Sequence, residues 1–153
     1  MAKNKDYTTW VEAALDVIGG KWKPLIVLAL KDGTQRYSEV AHKLPGIGER
    51  MLVKQLRELE RDGIIKRTVY AQVPPRVEYS LTLSGKKLMP VLKILSIWCV
   101  NYLGRDVVGD GPSVAPWGDP AQLRLLLEDL DSMRKDVDKR LKRLGGTVVS
   151  AGH

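Results

Sequence analysis

The run Glu49 to Asp62, ERMLVKQLRELERD, constrains the fold more than any other stretch of the chain. On a helix turning about 100° per residue, Leu52, Leu56 and Leu59 fall on one narrow stripe, and Arg50, Lys54, Arg57 and Arg61 fall roughly opposite. One stripe is built to be buried, and the other presents cations at helical spacing. Glu49, Glu58 and Glu60 flank the basic row without interrupting it. Gly48 stands at the N-cap, and Gly63 at the position where helices commonly end in a left-handed residue. A helix over about 48–62 is therefore expected.

Its neighbours define an order. The apolar segment Val11–Ile18 is stopped by Gly19-Gly20. Lys21-Trp22-Lys23-Pro24 starts a second helix, with Pro24 tolerable only in its first turn. A third helix is expected from Ser38, as N-cap, to about Lys43, followed by the turn Leu44-Pro45-Gly46-Ile47-Gly48. After the main run, Ile64–Tyr70 is rich in β-branched residues. Arg76–Leu81 alternates Val77, Tyr79 and Leu81 with Arg76, Glu78 and Ser80, so the pair reads as a two-stranded hairpin with a proline-stiffened tip. Thr82 or Ser84 caps a long helix reaching about Tyr102, with Pro90 in its early turns. Three helices followed by a β-hairpin is the winged helix-turn-helix order, in which the helix before the hairpin enters the major groove of DNA. The fold class expected is mainly α with a small β-hairpin, a three-helix core plus wing with flanking helices.

Charge agrees with a polyanionic partner. The net charge is +7, and residues 1–104, with 17 Lys and Arg against 10 Asp and Glu, hold the whole excess. The division expected is a DNA-binding domain over 1–104, a Gly- and Pro-rich linker over 105–120 and a helical extension over 121–153. No apolar run approaches the ~18–20 residues that span a bilayer, and no secretory leader is evident, so a cytoplasmic protein is expected. His42 and His153 lie far apart, and Cys99 is the single cysteine, which leaves no metal motif or disulfide framework. No HExxH, GxSxG, P-loop or dinucleotide fingerprint occurs, so neither an enzyme nor a cofactor is expected.

On double-stranded DNA the roles divide by position. Residues in the first turns of a recognition helix reach base edges, which makes Arg50, Val53 and Lys54 the candidates for direct readout. Glu49 could accept from a cytosine amino group or simply favour the helix N-terminus. Arg57 and Arg61, further along, suit phosphates. Ser38 could offer a hydroxyl and a backbone N–H to phosphate. Lys66, Arg67 and Arg76 lie on the wing, where backbone and minor groove are in reach.

Several uncommon strings occur in one order: ALDVIGGKWKPLIVLAL at 14–30, GTQRYSEV at 33–40, PGIGERMLVKQLRELERDGIIKR at 45–67 and VPPRVEYSLTLSGKKLMPVL at 73–92. Over about residues 11–102 the chain resembles the HxlR-type family of winged-helix regulators. The resemblance implies a homodimeric transcription regulator whose first and post-wing helices form the dimer interface. That interface maps here onto Val11, Leu15, Leu88, Leu92, Leu95, Trp98 and Tyr102. Many members carry a redox-sensing cysteine just before the Val-Glu-Ala stretch, where this chain has Thr9. The chain also has Gly48 where a Ser or Thr commonly caps the recognition helix.

The remainder leaves alternatives open. Cys99 is either a buried structural cysteine or a redox switch. Trp10, Trp22, Trp98, Trp117 and Tyr102 are either core or the lining of a pocket for an aromatic effector. Leu123, Leu130, Val137 and Leu144 repeat every seven residues, with Leu126, Leu127, Met133 and Leu141 between them, a seam for a second copy or for a groove on the winged domain. The basic end Lys139–Arg143 is offset by upstream acids and reads as a solvated face. A winged helix used for protein or RNA contact is the rival within binding modules.

Overall fold

The computed structural model describes residues 6–73, 75–103 and 120–143. Pro74, residues 104–119 with Trp117, Leu144 and His153 lie outside the described residues. The chain divides into two compact units, Met1–Met89 and Pro90–His153. No helix among the described residues is long and apolar enough to cross a membrane.

The first unit opens with α1 (Trp10–Ile18). Thr9 caps it: its hydroxyl accepts from the Glu12 N–H at 3.1 Å, while the Glu12 carboxylate accepts from the Thr8 N–H and hydroxyl, both at 2.8 Å. Those Thr8 hydrogen bonds hold the Glu12 carboxyl below its ordinary range. No residue of α1 is buried. By contrast, α2 (Trp22–Ala29), with Pro24 in its first turn, buries Ile26, Val27 and Ala29, and Leu30 beyond it. Next come the two-residue strand β1 (Gln35–Arg36) and α3 (Tyr37–Lys43).

Ser38 is not the N-cap of α3; Arg36 stands there, and its backbone N–H donates to the Glu39 carboxylate. The acid three residues on satisfies an orphan donor that a capping hydroxyl would leave free, so the helix starts one residue before Ser38. Lys43 Nζ donates to the Ala29 carbonyl at 3.0 Å and closes the C-terminus of α2.

The recognition-helix candidate, α4 (Glu49–Arg61), buries Leu52, Leu56 and Leu59 against this core. Fully burying a leucine stabilises by about 1.5–3 kcal/mol, so the stripe is a principal anchor. Its exit is a Schellman motif. Gly63, at φ 72°, donates to the Glu60 carbonyl at 3.0 Å, and Ile64 donates to the Leu59 carbonyl at 2.9 Å. Ile64 is buried like Leu59, and the chain leaves directly into the sheet.

The sheet has three strands, not two. β2 (Ile65–Tyr70) and β3 (Arg76–Leu81) form the expected antiparallel hairpin, and β1 pairs on the far side of β3, giving the order β1-β3-β2. A two-residue strand has no period to read, which is why β1 was invisible in the sequence. Its pairing makes β3 central and breaks the expected alternation, for Glu78 is buried beside Tyr79. Arg36 and Thr68 lie opposite Glu78 on its two sides.

Thr82 then caps α5 (Leu83–Leu103). Its hydroxyl accepts from the Gly85 N–H at 3.1 Å and donates to the Gly63 carbonyl at 2.6 Å. Gly85 permits this join, since a Cβ there would lie 2.2 Å from the Ile64 carbonyl oxygen. Pro90 lies inside α5.

In the second unit Leu92 of α5 and Leu126 of α6 (Pro120–Arg143) are buried, and Lys93 reaches Asp129 at 3.4 Å. Leu130 and Met133 are half-buried, and Leu127, Val137 and Leu141 are exposed. Asp131 takes both Arg134 at 2.8 Å and Lys135 at 2.6 Å on the solvated side of α6.

Candidate nucleic-acid interface

The face of α4 opposite its leucines is exposed along its length, through Arg50, Lys54, Arg57 and Arg61. Local chemistry grades these four cations. Neither Arg50 nor Arg57 has an ion-pair partner among the described residues. Lys54 Nζ stands 4.0 Å from a Glu58 carboxylate oxygen one turn on. Arg61 is engaged by its neighbour: Nε lies 3.0 Å and Nη2 3.3 Å from the two Asp62 oxygens. That hydrogen-bonded pair raises the Arg61 pKa above its ordinary value. Of the remaining α4 candidates, Glu49 is exposed and Val53 half-buried. Glu49 also stands near enough to Tyr37 to add to the upward push that burial gives that phenol.

Gly48 caps α4 with no side-chain hydrogen bond, so the first-turn N–H groups keep their partial positive charge. Ser38, in the first turn of α3, is exposed.

On the wing, pleat alternation puts Lys66 and Arg67 on opposite faces of β2, both exposed. Lys66 shares its face with Arg36 and Arg76. Arg76 is the most constrained of the predicted cations. Its Nε donates to Glu78 at 2.6 Å in an ion pair, and its guanidinium lies 5.4 Å from the Tyr70 ring centroid. Arg36, exposed and directly across from Glu78, is a cation that the sequence reading did not select. Only the β1–β3 pairing brings it to this sheet face.

The residues mapped to a dimer interface are not equally available. Val11 and Leu15 are exposed on α1, next to a Trp10 that is 93% exposed. On α5, Leu95, Trp98 and Tyr102 are exposed, Leu88 is half-buried, and Leu92 is buried within its own chain. Trp98 and Tyr102 stack, with centroids 5.2 Å apart and planes within 8°. Trp22, half-buried, instead lies under Lys21 Nζ at 4.7 Å. Cys99 is a free, half-buried thiol. Among the described residues, no group of His, Cys, Asp and Glu is placed to hold a metal ion.

The chain is similar in sequence and fold to known proteins. The HTH-type transcriptional regulator YtcD of Bacillus subtilis (strain 168) is 49% identical over 112 residues, covering 73% of this chain and 88% of YtcD. The crystal structure of YtcD superposes with a TM-score of 0.61 at 49% identity, over 64% of this chain and 100% of that one. The redox regulator HypR in its reduced form superposes with a TM-score of 0.60 at 49% identity, over 65% of this chain and 96% of that one. The HxlR-like helix-turn-helix family model matches residues 17–107, which takes in α2 through α5, the wing and every predicted DNA-contacting residue. With this fold and these relatives, the chain belongs to the HxlR-like helix-turn-helix family and is a transcriptional regulator.

Proposed function

We propose that residues 1–104 form a sequence-specific reader of double-stranded DNA that works as a homodimer, with α4 in the major groove and the β2–β3 wing on the backbone or minor groove. One observation carries the reading: an exposed row of cations lies opposite a buried leucine stripe on the helix that leads directly into the wing. Arg50, Val53 and Lys54, in the first turns, read base edges, and Glu49 beside them favours cytosine amino groups or the helix N-terminus. Arg57, Arg61 and the Ser38 hydroxyl hold phosphates. Arg61 keeps Asp62 as partner until a phosphate replaces it. On the wing Lys66 and Arg67 reach the backbone, while Arg76, braced by Glu78 and Tyr70, presents a pre-oriented guanidinium. The exposed apolar faces of α1 and α5 pair with their copies. Residues 105–120 link this domain to the helical extension.

Two substitutions separate base reading from phosphate anchoring. Arg50→Ala should relax preference at one position of each half-site, by about 1–3 kcal/mol, with less effect on random duplex. Arg57→Ala should weaken binding to every sequence alike and lower the dependence of log K on log salt by about one contact. Competition binding over a salt series measures both. Identical behaviour of the two variants would break the division of roles.

A further inference from the structure

We propose that Lys23, on α2, sets the DNA-reading geometry of α4 from beneath, acting through Glu58 on Lys54. The inference rests on the duplex-reading role given to α4 above. Among the described residues the buried charged side chains are Lys23 and Glu78. An ammonium in such a place persists only when it is paired. Lys23, with its side chain 8% exposed, places Nζ 3.1 Å from Glu58 Oε2. The other oxygen of the same carboxylate, Oε1, faces Lys54 Nζ at 4.0 Å, and the Lys54 side chain is 67% exposed. A single carboxylate thus bridges a buried cation and a candidate base reader.

An acid on a helix that approaches phosphates opposes binding, so its presence beside the basic row calls for a compensating role. Lys23 supplies part of that role by offsetting the Glu58 charge and fixing the carboxylate in one place. The fixed carboxylate, beyond hydrogen-bond reach of Lys54 Nζ, biases Lys54 electrostatically toward one side before DNA arrives, so less rotamer freedom is lost on docking. Without Lys23, Glu58 is free to draw Lys54 along the helix surface, away from the base edges. Lys23 and Glu58 touch no DNA in this scheme; they are positioning residues.

The test uses the full chain and two probes of equal length: a duplex enriched by the wild-type protein from a random-sequence pool, and its shuffled counterpart. Lys23→Met combined with Glu58→Gln removes both charges together, so neither is left orphaned in the core. This double variant should bind the shuffled duplex as tightly as wild type or a few-fold tighter, since an acid near phosphates is gone. Its discrimination between the two probes should fall about tenfold, within the range of one base contact. Adding Lys54→Ala should then change the discrimination little, although Lys54→Ala alone in the wild-type background reduces it by a similar factor. Lys23→Arg, which keeps the cation, should retain the discrimination and is read alongside in case the double variant melts early. Wild-type discrimination in the double variant, with Lys54→Ala still exerting its full effect, would reduce the ion pair to a fold staple and overturn the proposal. A wild-type protein that cannot tell the two duplexes apart would instead remove the DNA reading, and the role of Lys23 with it.

Discussion

Leu59→Ala is expected to lower the free energy of unfolding by about 2–5 kcal/mol. Leu59 is 0% exposed, lies on the buried stripe of α4 with Leu52 and Leu56, and supplies the carbonyl that accepts the Ile64 N–H in the helix-ending Schellman motif. Truncation removes its transfer free energy and leaves a cavity that the close-packed core fills only in part. Typical domains are stable by only about 5–15 kcal/mol, so this one substitution should shift the midpoint of urea denaturation markedly at unchanged slope. Met51→Ala, on an exposed position of the same helix, should change stability by no more than about 0.5 kcal/mol. Similar shifts for the two would mean that the leucine stripe is not the anchor of α4.

The second large effect concerns assembly. If the proposed homodimer forms through α5, Trp98→Asp should leave the protein monomeric, with the dimer dissociation constant rising at least about 100-fold. Leu95, Trp98 and Tyr102 recur at helical spacing on α5 and are 56%, 58% and 71% exposed. Aromatics gathered on one face at this exposure mark an interaction surface. An aspartate there would be buried without a partner on association, and the stacked Trp98–Tyr102 pair would be lost. Sedimentation equilibrium reads the result directly. A variant that still sediments as a dimer would move the interface elsewhere, and a wild-type protein that sediments as a monomer would remove the homodimer from the account.

The parts of this protein that were legible in its sequence are those with a long period. The leucine row of α4 repeats over about two turns and its basic row over about three, and Gly48 and Gly63 mark its ends, so helix and face agree with the structure almost residue for residue. The β2–β3 hairpin was readable for the same reason. What escaped is short or depends on contacts distant in sequence. Two residues of β1 carry no pattern, yet they make β3 central, bury Glu78 and bring Arg36 onto the wing sheet. Ser38 has the composition of an N-cap, but the cap lies two residues earlier at Arg36, whose N–H donates to the Glu39 carboxylate. Lysine is so seldom buried that nothing in Lys21-Trp22-Lys23-Pro24 announced the pairing of Lys23 with Glu58, which looked like one of several acids flanking the basic row. Leu92 falls on the apolar side of α5 with Leu95 and Trp98, but the fold buries it within its own chain.

The central claim, that the exposed face of α4 reads duplex DNA as part of a symmetric dimer, is tested most directly by selecting bound duplexes from a random-sequence pool and footprinting the enriched sites. Inverted half-sites centred about one helical turn apart are expected, protected in the major groove, with affinity falling steeply as salt rises. Failure to enrich any duplex at low salt, or enrichment of sites without two-fold symmetry, would contradict it.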